Sequence, residues 1–232
     1  TNPKYEGMID EMKKAGISSF TIGVESFNPS VLRMYNKIPM IRALLTPEQR
    51  ERFGQLCIEG QDSSIPFLYS ERIRSAVAYS YKHGIPCVGD YMIGNPGESE
   101  EDVRKGFELF SKIPGLLIAY IPQFTPFPGT KVWGDCYPNN VRGADGRIPW
   151  EKFDASHGSV MADTIDGLRD ELELAFYTSE RYVADMQKAI AESFLPVQFF
   201  LGRFGYMVKT FAGHPLVGRV EGILHTLEAM AH

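Results

Sequence analysis

Three short polar segments each close an apolar run: Glu25-Ser26 after residues 17–24, Gly94-Asn95-Pro96-Gly97 after 86–93, and Gln123-Phe124-Thr125 at the end of 116–124. A carboxylate at a strand end can accept hydrogen bonds from a ligand's hydroxyl or ammonium groups, and a neighbouring serine can join it. The plainer role for Glu25 and Ser26 is to cap the helix that Asn28-Pro29 opens. The glycine-rich turn lets backbone approach a ligand closely. It is equally a strand-to-helix turn ahead of a Ser99 cap. Gln123, Phe124 and Thr125 offer backbone groups to a ligand, or are ordinary buried strand. Asp90 places a charge inside an apolar run, so it must be paired or face a cavity.

The other reactive residue types show no constellation. Cys57, Cys87 and Cys136 are far apart, odd in number and without C-x-x-C spacing, which reads as small buried hydrophobes in a reducing, cytoplasmic setting. His83 suits a helix C-terminus; His157, His214, His225 and His232 are scattered and read as surface or packing residues. The chain has 232 residues and a net charge of -5, which argues against nucleic-acid binding through a broad basic face. No apolar run reaches membrane-span length. The first residues, Thr1 to Glu6, carry neither an initiator Met nor a signal pattern, so the sequence reads as a cut piece of a longer protein.

The elements that must position these residues alternate. Asn2-Pro3 starts a helix whose apolar face is Tyr5, Met8, Ile9 and Met12, stopped at Gly16. A buried strand over 17–24 follows, then a helix from Ser30 to about Lys37. The stretch 38–69 is less regular and holds a helix from Pro47 to about Ile58. Ser70 caps a helix running to His83, and a strand runs from Pro86 to Ile93. Ser99, with Asp102 at the third position, opens a helix with Val103, Phe107 and Phe110 inward. Leu116 to Phe124 is the last strand. This alternation specifies parallel β/α units, in which sites sit at the C-terminal strand ends. After Trp133 the pattern changes. Residues 134–165 form a linker anchored by Trp150 and Phe153. A long helical pattern then covers 166–193, and further helical segments cover 194–209 and 216–231. The expected fold is α/β: the C-terminal half of a partial (β/α) TIM-like barrel over 1–133, with an insertion near 38–69, and a mainly helical extension over 134–232.

Three stretches, taken in order, resemble one family. They are Met12-Lys-Lys-Ala-Gly16 with Phe20-Thr-Ile-Gly-Val-Glu-Ser26, Val31-Leu32 and Asn36-Lys37; His83-Gly-Ile-Pro86 with Tyr91-Met-Ile-Gly-Asn-Pro-Gly-Glu-Ser99 and Glu101-Asp102; and Phe124-Thr-Pro-Phe-Pro-Gly-Thr130. They look like the fourth, fifth and sixth strand regions of radical S-adenosylmethionine (SAM) proteins. The pattern is close to the cobalamin-associated branch of methyltransferases and anaerobic tetrapyrrole cyclases. The resemblance implies SAM and a 4Fe-4S cluster in the intact protein, with cobalamin as a further cofactor of that branch. It also implies a small-molecule, tetrapyrrole or lipid-like substrate. On it, Glu25, Ser26, Gly94, Asn95, Pro96, Gly97, Gln123, Phe124 and Thr125 are the SAM-binding set, with no catalytic or metal residue. The family's C-x-x-x-C-x-x-C triplet is absent, so the chain should be inactive by itself, its edge strand free to pair in a dimer.

Two other readings compete. A lyase or aldolase on a different β/α barrel needs a lysine at a strand end, and Lys112 and Lys131 occupy helix or loop contexts. A scaffold with a lost cluster needs a closed core and a large exposed apolar patch.

Overall fold

The computed structural model describes residues 7–43, 46–48, 51, 65–136, 145–148, 150, 153, 166–192 and 197–231. Three strands, β1 (Phe20–Glu25), β2 (Cys87–Tyr91) and β3 (Leu116–Tyr120), form one parallel sheet in the order β1-β2-β3. Helices fill the rest: α1 (Met8–Lys14), α2 (Pro29–Met34), α3 (Lys37–Ala43), α4 (Ile65–Lys82), α5 (Glu100–Ser111), α6 (Lys131–Cys136), α7 (Asp166–Tyr177), α8 (Glu180–Ala191), α9 (Val197–Thr210) and α10 (Val217–Met230). The α/β class with parallel strands is therefore as read from the sequence. The described strands form an open sheet, and barrel closure is not among their features.

Local chemistry explains most element starts. Asn28 caps α2 by accepting a hydrogen bond from the Ser30 amide, with Pro29 at the first helical position. Ser99 and Asp102 form a reciprocal capping box on α5, whose first turn also carries Glu100 and Glu101. The expected break near Lys37 is a short one, because α3 begins there and buries Ile41. Ser70 does not cap α4. The helix starts at Ile65 with Pro66 in its first turn, because Ile65, Leu68, Tyr69 and Ile73 extend the buried face upstream. Ser70 lies inside it, its hydroxyl donating to the Phe67 carbonyl. The long 166–193 pattern is two helices, since Ser179 accepts from the Tyr182 amide and restarts the chain as α8. Pro47, Glu48 and Glu51 are helical, as expected, but the remainder of that expected helix lies outside the described residues, as do Asn2, Pro3, Tyr5 and most of the 134–165 linker. Trp133 and Trp150 stack, the two indoles 5.9 Å apart and 8° from parallel, and Phe153 packs tilted against both.

The helices pack on one face of the sheet. An aromatic chain runs from Phe27 through Tyr91 and Phe110 to Phe176, with successive ring centroids 6.4, 5.2 and 5.7 Å apart. It joins sheet and helical extension in one continuous core. Burying each such ring contributes about 1.5–3 kcal/mol.

The extension also covers the outer edge of β3. The Tyr177 hydroxyl donates to the Ala119 carbonyl (3.0 Å) and accepts from its amide (3.1 Å). Arg181 donates to the Leu116 carbonyl, and Asp185 accepts from the Gly115 amide. The expectation of a free edge able to pair with another copy therefore fails at β3, where side chains take the backbone groups that a strand would use. On β1, the Gly23 carbonyl is taken by Lys37 and Tyr69. Among the described residues, no helix is long and apolar enough to cross a membrane.

Tyr177→Phe should lower stability by about 1–3 kcal/mol, because it leaves the buried Ala119 amide and carbonyl unpaired. Urea unfolding measures this, and an unchanged midpoint would refute the edge-sealing role.

Candidate functional site

The C-terminal ends of the three strands are knit together by backbone. The Met92 amide donates to the Glu25 carbonyl at 2.7 Å. Ile93 and Gln123 form an isolated parallel bridge, and the Phe124 amide donates to Ile93 at 2.8 Å. The structure thus brings together all three segments expected to form the site.

Glu25 is held in an unusual geometry. The register of β1 against β2 slips between Gly23 and Glu25, and Glu25 has φ of 65°. The slip is a bulge, which re-aims a side chain at the end of a strand. A left-handed φ on a non-glycine residue costs about 1–2 kcal/mol. The surrounding contacts over-determine it. Lys37, at the start of α3, lies 3.3 Å from the Glu25 carboxylate and donates to the Gly23 carbonyl at 2.5 Å. Gly23 leaves the room this pair occupies: a Cβ there would lie 2.7 Å from Glu25 Oε1. Tyr69 reaches the same place from α4, donating to the Val24 carbonyl at 3.2 Å. Burial, and then the Glu25 charge, push the Tyr69 hydroxyl's pKa up.

Beside this pair lies a polar network centred on Glu98. Its carboxylate accepts from the Ser26 hydroxyl (2.6 Å) on Oε1 and from the Asn95 side-chain amide (2.8 Å) on Oε2. The Asn95 amide also donates to the Met92 carbonyl, and the Asn95 carbonyl oxygen accepts from the Tyr35 hydroxyl at 2.8 Å. Ser26 Oγ additionally accepts from the Asn28 amide. Burial raises the Glu98 pKa against the opposing pull of the Ser26 and Asn95 hydrogen bonds. Burial first, then Glu25 and Glu98, raise that of Tyr35. Gly94 and Gly97 carry φ of 75° and 77°, a conformation that suits glycine and lets the turn fold back over Glu98. Pro96 stands between Asn95 and Gly97 in this turn.

These partners sort the expected site residues. Glu25 has its carboxylate at the mouth, about a quarter exposed, with Lys37 as its ion-pair partner among the described residues. Ser26 and Asn95 are buried, and their side-chain donors are taken by Glu98 and by the Met92 carbonyl. Gln123, Phe124 and Thr125 are buried in the third tip, where the Thr125 hydroxyl donates to the Gln123 carbonyl. Lys37, Tyr35, Tyr69 and Glu98 were not singled out from sequence as site residues. Lys37 and Glu98 lie within the motif stretches quoted above, twelve residues beyond Glu25 and one beyond Gly97. The tyrosines carried no sequence signal.

A 4Fe-4S cluster does not fit the residues described. It needs three thiolates. Cys87 sits buried at the start of β2, the end away from the site, and burial raises its thiol pKa. Cys57 lies outside the described residues. Among the described residues, no group of three or more His, Cys, Asp or Glu could hold a metal ion.

The geometry defines a parallel α/β protein with a polar, anion-rich mouth at its strand ends. Over 194 residues the chain is 26% identical to an uncharacterized methyltransferase of Pyrococcus horikoshii. The similarity covers 84% of this chain and 32% of that protein, so the chain spans about a third of the length of the relative it matches. No family model matches.

Replacing Glu25 separates charge from backbone strain. Glu25→Gly and Glu25→Ala both remove the carboxylate, but only glycine relieves the left-handed φ. Glu25→Gly should be the more stable of the two by about 1 kcal/mol in chemical denaturation. Equal stabilities would contradict the strained geometry.

Proposed function

We propose that this chain is the ligand-positioning part of a radical SAM enzyme of the methyltransferase type. In this reading the three joined strand ends cradle the adenosyl part of SAM. Glu25 accepts hydrogen bonds from the ribose hydroxyls or the ammonium group, and Lys37 supplies a cation for the carboxylate. The Gly94-to-Gly97 turn and the Gln123-to-Thr125 segment present backbone to the nucleoside. The observation that carries the reading is Glu25, held at a bulged strand end with a left-handed φ and its carboxylate at the mouth where the tips meet. Strain retained at one polar residue by several surrounding contacts is characteristic of functional sites. The relative's designation as a methyltransferase supports methyl transfer as the class of reaction.

The chemistry of reductive SAM cleavage belongs to the iron–sulfur cluster, and the described residues supply no ligands for it. This chain's own residues bind and orient. Glu98 fixes Ser26 and Asn95, and those fix the turn. Methyl transfer, ring formation and hydrogen abstraction share such a scaffold, so the substrate is not read from it.

Lys37 also places a lysine at a strand end, as a Schiff-base lyase would require. Its neighbours are the Gly23 carbonyl, the Glu25 carboxylate and the Tyr69 hydroxyl. A Schiff-base lysine is activated instead by an apolar wall or a second cation. The SAM reading accounts for the ion pair better.

Titration calorimetry tests the reading. The chain should bind SAM, and Glu25→Gln should weaken binding about tenfold, the loss expected for a charged hydrogen bond. No binding by the unmodified chain would overturn the reading.

A further inference from the structure

The two faces of the sheet differ. Cys87 and Tyr91 of β2 are buried on the helix-covered face. On the other face Thr21 and Gly23 are exposed, Asp90 is half-buried, and Tyr120 is 44% exposed. Parallel sheets usually bury both faces, so a polar, open face on this one calls for an occupant. Asp90 stands at its centre, in register with Gly23 on one side and Tyr120 on the other.

The carboxylate of Asp90 has no hydrogen-bond or ion-pair partner among the described residues. Its pKa is raised by burial first and the Glu25 charge second, and lowered by Lys37, so all three charges sit within electrostatic reach. Lys37 is already engaged by Glu25 and by the Gly23 carbonyl. Among the described residues, two carboxylates and one ammonium therefore meet beside this face. A half-buried carboxylate left without a partner is a standing attraction for a cation, and partial burial keeps that attraction from being screened away. The matching ligand carries a fixed positive charge.

We propose, resting on the SAM reading above, that Asp90 is the charge-selecting residue of this site: from the open sheet face beside Glu25 and Lys37, its carboxylate favours a sulfonium ligand over the neutral thioether. SAM and S-adenosylhomocysteine share every hydrogen-bonding group and differ by one methyl group and one positive charge. The neutral thioether lacks the charge that Asp90 attracts, so it is held less tightly. Asp90 recognises the ligand's charge and has no bond-making role.

The test compares the affinities of both ligands by titration calorimetry for the unmodified chain, Asp90→Asn and Glu25→Gln. Asp90→Asn should weaken SAM about tenfold and leave S-adenosylhomocysteine nearly unchanged, collapsing the ratio between them. Glu25→Gln should weaken both alike, because its partners are groups the ligands share. Asp90→Ser serves as the second variant should the asparagine protein fold poorly, and circular dichroism monitors folding of each. An unchanged ratio in the Asp90 variants, or an equal loss for both ligands, would overturn the proposal while leaving the SAM reading standing. Binding of neither ligand by the unmodified chain would overturn both.

Discussion

Glu98 holds the site together through one carboxylate. Oε1 accepts from Ser26 at the end of β1, and Oε2 accepts from Asn95 in the turn after β2. Tyr35, from beyond α2, closes the same network through Asn95. A half-buried carboxylate is costly to leave unpaired, so its partners are held in place. That constraint ties the end of β1 to the turn after β2. Beside it, Lys37 and Tyr69 hold the residues around the left-handed Glu25, and the third tip is joined by backbone through Ile93 and Gln123.

Around this centre, side chains take over the work that further strands would do. Tyr177, Arg181 and Asp185 satisfy the outer edge of β3, while Lys37 and Tyr69 satisfy the Gly23 carbonyl on β1. The helical extension is thus part of how the sheet ends, joined to it by the aromatic chain from Phe27 to Phe176. One sheet face is left open, and Asp90 lies at its middle. The same arrangement that seals the sheet sideways leaves this face exposed at Thr21, Gly23 and Tyr120.

Much of this was legible in the sequence, because local chemistry decided it. The Ser99–Asp102 box, the Asn28-Pro29 start and the alternation of apolar runs announce α5, α2 and the parallel strands through residue types at fixed offsets. The tips of all three strands could be placed for the same reason. What could not be read depends on contacts between distant segments. Ser70 resembles a cap but lies within α4, because burial of Ile65 and Leu68 extends the helix upstream. Ser26 reads as a partner of Glu25 toward a ligand and Asn95 as part of a turn that offers backbone, yet the side chains of both donate to Glu98. Lys37 pairs with Glu25 only because α3 folds back over Gly23, and Tyr69 arrives from a helix more than forty residues away. Nothing in the spacing of these residues encodes the meeting.

The coupling between Ser26 and Glu98 tests this account most directly. A double-mutant cycle with Ser26→Ala, Glu98→Gln and the double variant, read by denaturant unfolding, isolates the interaction from the separate effects of each substitution. If the carboxylate anchors the strand ends, the coupling should be about 1 kcal/mol or more. Additive effects, with no coupling between the two positions, would contradict it and leave the geometry of the mouth without its support.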